Sequence, residues 1–292
     1  MEKVRLSFHE EIRRNKIHSF FLITIVFVVL LALIYTIGFV LGGDYLFFIL
    51  IFGTIFSIAY VVGGYYKSAD LAIKSVKGKP ATGPEYREYN NIVEGLCLAS
   101  GLKKPKLFIM HNQQINAFAS GRDPEHAVIC VTTGTIEKLN KHELEGVLAH
   151  ELSHIANYDI RFMTLTAVLV GMISIIAQIF LRSLFWSRGG RNKGNTAIML
   201  IGIALAILAP ILVALVQLAI SRKREYAADS SAVKFIRSPT GLIGALKKIQ
   251  HNTPMEVPGA VAPLFLAKPK KKREWFQTHP PLSKRIERLG KM

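Results

Sequence analysis

The chain has 292 residues, half of them hydrophobic, and a formal net charge of +17. Such apolarity, with a positive mean hydropathy, excludes an ordinary soluble domain. Only two cysteines occur, Cys97 and Cys130, and neither stands in a CxxC pair, which excludes a disulfide framework and leaves two small core residues.

The first elements are apolar. Ser19–Leu41 and Tyr45–Tyr66 contain no Asp, Glu, Lys or Arg, and each reaches the roughly 20 residues needed to cross about 30 Å of hydrocarbon. The first is too long for a cleavable signal peptide, is followed at once by the second and has no small-residue cleavage pattern, so it is expected to remain as an anchor. Lys3, Arg5, Arg13, Arg14 and Lys16 precede this hairpin, and Lys67, Lys74, Lys77 and Lys79 follow it. Its turn, Gly42-Gly43-Asp44, has no basic residue, so the positive-inside rule places both open ends in the cytoplasm.

Residues 67–160 read as the first part of a folded unit, with charges balanced at eleven of each sign over 67–159. Glu85–Ser100 has helical periodicity and stops at Gly101. Lys106–Met110, Ile115–Ser120 and Ala127–Thr132 read as short strands separated by Asn, Gly, Asp and Pro. Lys141–Tyr158 follows as a helix, since Leu144, Val147, Leu148, Leu152 and Ile155 recur at helical spacing without a proline. It carries His150-Glu151-Leu152-Ser153-His154. Positions i and i+4 of a helix point the same way, so both imidazoles can reach one metal while Glu151 stands beside the open coordination site, able to take a proton from the attacking water.

Phe162–Leu181 and Ala197–Ile220 are again free of charge and long enough to span. Gln178, Gln217 and Pro210 interrupt them, as in a buried soluble hairpin; in a span, the glutamines would face protein rather than lipid. An even number of spans returns 221–292 to the cytoplasmic side. Arg182, Arg188, Arg191 and Lys193 oppose that arrangement, because the connection carrying them would lie outside; either the first hairpin dominates orientation or the second does not fully cross.

A catalytic zinc needs a third protein ligand. Glu225 stands five residues after the fourth span ends, and the HExxH ends eight residues before the third begins, so a membrane hairpin brings both to one face. Asp229, one turn further along Ser221–Arg237, is spaced to orient a ligand histidine. An ion pair within Ser221-Arg222-Lys223-Arg224-Glu225 is the competing reading of Glu225. A second helix covers Thr240–His251. The Pro254–Thr278 loop then carries Lys268, Lys270, Lys271, Lys272 and Arg273 without interleaved aromatics, within a segment of 16 basic against 5 acidic residues. Such a loop suits anionic lipid headgroups, not nucleic acid. Leu282–Leu289 closes the chain as a short helix.

Four elements in order resemble the HtpX-type integral-membrane zinc metallopeptidases, gluzincins related to the CAAX prenyl proteases. They are His150-Glu151-Leu152-Ser153-His154, Ser221 to Asp229 (SRKREYAAD), Asn116-Ala117-Phe118-Ala119-Ser120-Gly121, and Thr278-His279-Pro280-Pro281 with Arg285-Ile286. The resemblance implies an α+β, mostly α fold: four transmembrane helices and a cytoplasmic zincin-like catalytic domain holding one zinc ion on His150, His154 and Glu225, with Glu151 as general base. It also implies Asn116, Ala117, Phe118 and Ala119 on an edge strand that can pair with an extended substrate, although Phe118 suits a core strand equally. His279 and Arg285 are implied near the site, stabilising the oxyanion; His279 before two prolines would also serve to cap the last helix.

The expected activity is endoproteolysis of membrane proteins, in membrane-protein quality control, at the inner face of the cell membrane. Two alternatives are a prenyl-protein endoprotease and a non-proteolytic membrane scaffold with structural zinc. Intact Glu151 argues against the scaffold, because a purely structural site has no need of a carboxylate between its histidines.

Overall fold

The computed structural model describes residues 43–164, 222–251, 264–266 and 280–292, with Ile17, Phe21 and Thr24. The expected spans 19–41 (Phe21 and Thr24 aside), 162–181 beyond residue 164, and 197–220 lie outside the described residues, as does His279.

Helix α1 (Gly43–Tyr66) covers the expected second span and is followed at once by α2 (Ser68–Ser75). Phe47, Phe48, Phe52, Ile55, Phe56 and Val62 are exposed along α1, an apolar surface of the kind that meets lipid or another protein. No single described helix is long and apolar enough to cross a membrane. Leu50–Tyr66 and Ser68–Ser75, bent by 77°, meet that test of length and composition only as a pair.

The sheet has the order β1-β2-β4-β3, from Lys79–Pro80 (β1), Lys106–Met110 (β2), Ala117–Ser120 (β3) and Val128–Thr132 (β4). β2 and β4 run parallel, and the two outer pairings are antiparallel. Side chains of a strand alternate between faces. Ala117 and Ala119 of β3, with Ile129 and Val131 of β4, therefore face the main core, which they share with α3 (Arg87–Ser100) and α5 (Lys141–Ala156). Phe118, Val128 and Cys130 face the other side, where Ala72 and Ile73 of α2 pack. Alanine at 117 and 119 lets α5 approach the strand closely.

After β4 a short helix α4 (Thr133–Lys138) leads to α5, whose start is fixed by a capping box. Asn140 accepts from the Glu143 N–H at 2.9 Å and the Glu143 carboxylate accepts from the Asn140 N–H at 2.8 Å. Lys248 of α7 (Thr240–Gln250) reaches the same carboxylate at 2.6 Å. Two glycines set how closely α5 and α7 pack: a methyl at Gly146 would overlap the backbone of Leu242, and one at Gly241 would overlap the carbonyl of His142. Ala228 and Ala232 of α6 (Arg222–Ile236) and Leu289 of α8 (Leu282–Leu289) complete the fully buried packing around α5.

Candidate metal centre

Helix α5 carries His150 and His154 one turn apart, with their Nε2 atoms 3.2 Å from each other. Helix α6 brings Glu225 across to both. Its Oε2 lies 3.7 Å from His150 Nε2 and its Oε1 3.6 Å from His154 Nε2. Ligands held about 2.0–2.2 Å from a tetrahedral ion stand about 3.3–3.6 Å apart, so these separations match the edges of such a tetrahedron. All three side chains are buried.

Each imidazole also has its own carboxylate. His150 Nδ1 is 3.1 Å from Asp229 Oδ1, and His154 Nδ1 is 3.1 Å from Asp159 Oδ2. A carboxylate accepts from Nδ1–H, which fixes the tautomer and turns each Nε2 lone pair toward Glu225. Asp229 occupies the place its spacing suggested. Asp159 escaped the sequence reading, since five residues along an unbroken helix place it about 140° from His154. The helix ends at Ala156, and Tyr158 takes the left-handed conformation with φ 60°. That reversal swings Asp159 back under His154; the one available signal was an acidic residue just past the helix end.

Arg285 of α8 is wholly buried and forks onto Asp229, with Nε 2.9 Å from Oδ2 and one terminal nitrogen 2.6 Å from Oδ1. Its other terminal nitrogen is 3.1 Å from Glu225 Oε2. It thus couples the two acidic residues of α6 rather than standing alone. Arg224 Nε lies 3.7 Å from Asp159 Oδ1.

Among the described residues, four carboxylates (Glu151, Asp159, Glu225, Asp229) are buried here against the guanidiniums of Arg285 and Arg224. With neutral histidines and all acids ionised, the cluster carries a formal charge of −2, and buried excess charge is costly. The donor types, their spacing and this charge all fit a divalent cation such as zinc. Without a cation, burial and the Arg285 charge hold His150 down to about 4. Burial also favours neutral His154, yet the Asp159 hydrogen bond and the Glu225 charge outweigh it and raise that group to about 9.

Burial pushes Glu151 up to about 7, against the opposing influence of His154 and of the Ala119 backbone N–H, so the carboxylate stands beside β3. Asn116 is held at the head of this strand: its N–H meets Thr135 Oγ1 at 2.9 Å and Thr132 Oγ1 at 3.1 Å, and its carbonyl accepts from Thr135 at 2.7 Å. Phe118 is fully buried on the opposite face of the sheet, so the strand has an edge and a core role at once. Cys97 and Cys130 are free and buried, and burial pushes the Cys130 thiol up to about 12, which makes it a core residue rather than a ligand.

A buried pair of histidines from an HExxH helix, closed by a glutamate from a second helix over a small mixed sheet, is the centre of a metallopeptidase-type fold. A protein-family model described as Peptidase family M48 matches residues 85–292. The Protease HtpX homolog of Caldanaerobacter subterraneus subsp. tengcongensis is 45% identical over 234 residues, covering 77% of this chain and 78% of that protein. The Protease HtpX homolog of Dictyoglomus turgidum is 39% identical over 293 residues, covering 98% and 95%. The crystal structure of S. mikatae Ste24p gives a TM-score of 0.49 at 19% identity, covering 94% of this chain and 65% of that one. The chain belongs to peptidase family M48, with HtpX-type relatives at 37–45% identity.

Proposed function

We propose that this protein is a membrane-embedded zinc endopeptidase that cuts extended segments of membrane proteins at the inner face of the cell membrane. The observation that carries the reading is the buried His150, His154 and Glu225 donor set, with Glu151 on the same helix beside it. One zinc ion held by these three residues would supply Lewis-acid polarisation and an activated water.

The chain supplies the rest. Glu151, held near neutral pH by burial, takes the proton of the attacking water and returns it to the leaving amine. Asp229 and Asp159 hold the imidazoles in register. Arg285 keeps Glu225 and Asp229 in place, and its positive charge favours the developing oxyanion. His279, by resemblance, is a second candidate for that stabilisation. The edge at Asn116, Ala117, Phe118 and Ala119 would hold substrate by main-chain hydrogen bonds.

Membrane residence is supported by the four charge-free stretches and the exposed aromatic face of α1. It is supported also by the basic and aromatic cluster at the foot of that helix, where Arg122 lies 4.9 Å over the Tyr66 ring and Arg161 donates to the Arg122 carbonyl at 3.1 Å. Membrane-protein quality control is the role the family resemblance suggests. The test is cleavage of an unstructured, membrane-tethered reporter by the purified protein beside Glu151→Gln, with zinc quantified in both. Wild type should cut, and the variant should keep its zinc and lose at least about 100-fold in rate. Equal cutting by both would sink the proposed mechanism.

A further inference from the structure

The backbone polar groups of Ala117 and Ala119 point away from β4, as alternate residues of an edge strand must. Phe118 and Cys130 form a hydrogen-bonded pair of the ladder, which leaves the flanking Ala117 and Ala119 groups on the open side. The carbonyl of Ala117, on this open edge, accepts from the N–H of Leu266 at 3.0 Å. The partner comes from Leu264–Leu266, 147 to 149 positions distant along the chain and buried throughout. These three residues straddle the strand. Leu264 and Phe265 enter the apolar cluster on the Phe118 side, while Leu266 enters the core shared with α5. The Phe265 ring packs on Phe118 with centroids 4.8 Å apart.

We infer that Leu264–Leu266 is an internal occupant of the substrate edge, a piece of the chain's own sequence that an extended peptide must displace in order to pair with Ala117. The inference rests on the proposed reading of β3 as the peptide-binding edge and deepens it in two ways. A peptide adding to a sheet edge needs the outward-facing carbonyl of Ala117 as an acceptor, and one carbonyl oriented along an edge serves one added strand. Occupation by Leu266 therefore opposes productive binding. The occupant also covers apolar surface beside the edge, with Phe265 against Phe118 and Leu266 in the core shared with α5, so the peptide that displaces it must bring aliphatic or aromatic side chains of its own.

The test uses full-length, zinc-loaded Glu151→Gln protein and the blocked peptide acetyl-Ala-Pro-Leu-Phe-Leu-Ala-Lys-amide, which copies residues 262–268. Hydrogen exchange is followed over 264–266 with and without saturating peptide. Loss of protection at the Leu266 amide on peptide binding is the expected result; peptide bound with protection unchanged overturns the inference and leaves the peptidase reading standing.

A second arm measures affinity for the same peptide after Leu266→Pro, which removes the donor N–H, and after Phe265→Ala, which removes the ring from Phe118. Each variant, folded by its melting curve and equal to the parent in zinc content, should bind the peptide at least about 5-fold more tightly, since a binding-competent state that is only partly populated weakens apparent affinity in proportion. Unchanged affinity overturns the inference. Failure of every form to bind the peptide overturns it together with the assignment of β3 as the substrate edge, whereas cleavage by the Glu151-intact enzyme reports separately on the peptidase reading.

Discussion

Asp159 and Asp229 do the same thing to the two histidines by different routes. One arrives by a left-handed turn at Tyr158 after the helix has ended, the other from a helix 70 residues further on. Loss of such a partner usually costs 10–100-fold in metal affinity. Asp159→Ala is accordingly expected to weaken zinc binding by about that factor, measured by competition with a chromophoric chelator, while Asp159→Asn, which still offers an acceptor to Nδ1–H, should fall between it and wild type. Equal zinc affinity in all three would remove Asp159 from the centre. At this scale the sequence was most informative where the residues share a helix. His150, Glu151 and His154 follow from the 3.6-residue period alone, and Asp229 from its one-turn spacing to Glu225. Asp159 was hidden because its placement depends on where the helix stops.

Helices were legible because their apolar residues repeat. Lys141–Tyr158 was expected and Lys141–Ala156 is found; Thr240–His251 was expected and Thr240–Gln250 is found. β1 and α4, of two and six residues, are too short to show a repeat, and α2 follows α1 after a single residue, so none of the three is expected from the sequence. β3 begins at Ala117 rather than Ile115 because the Asn116 N–H turns to the Thr132 and Thr135 hydroxyls, which leaves only its carbonyl paired with the β4 main chain, at the Thr132 N–H. Nor did the sequence indicate how close α5 and α7 lie. Gly146 and Gly241 permit that approach, and Gly146→Ala forces the helices apart on the same element that carries both histidines. Overpacking of this kind costs about 1–3 kcal/mol. The variant should melt several degrees below wild type and lose zinc affinity along with stability, because Glu225 must still reach across to a displaced α5. A melting curve superimposable on wild type would mean that the two helices have slack.

At the scale of the whole molecule, the centre joins the two halves of the chain. α5 lies before the second expected hairpin, while α6 and α8 lie after it; their shared contact is a cluster of four buried carboxylates, two arginines and two histidines. Metal that binds only the folded state stabilises it by mass action, about 4 kcal/mol when free zinc exceeds the dissociation constant 1,000-fold. Removing zinc with a chelator should therefore lower the melting temperature markedly, and re-addition should restore it. Above about pH 7, where Glu151 is ionised, the metal-free protein should gain stability from Glu151→Gln, which removes that buried charge. A melting temperature indifferent to zinc removal would show that the halves are held together by apolar packing alone.

Period and spacing along the chain were enough for the broad architecture and the candidate donors: an HExxH helix, a small sheet, long charge-free stretches on either side, and an acidic candidate for the third donor after them. These are local properties, since periodicity and spacing along one segment dictate which side chains share a face. Folding in three dimensions is what turns Asp159 back beneath His154, sets the Arg285 guanidinium on Asp229 and Glu225, and lays Leu266 on the edge of β3. Each of those contacts joins residues whose approach is set by helix ends and packing between distant segments, and no spacing along the chain encodes them.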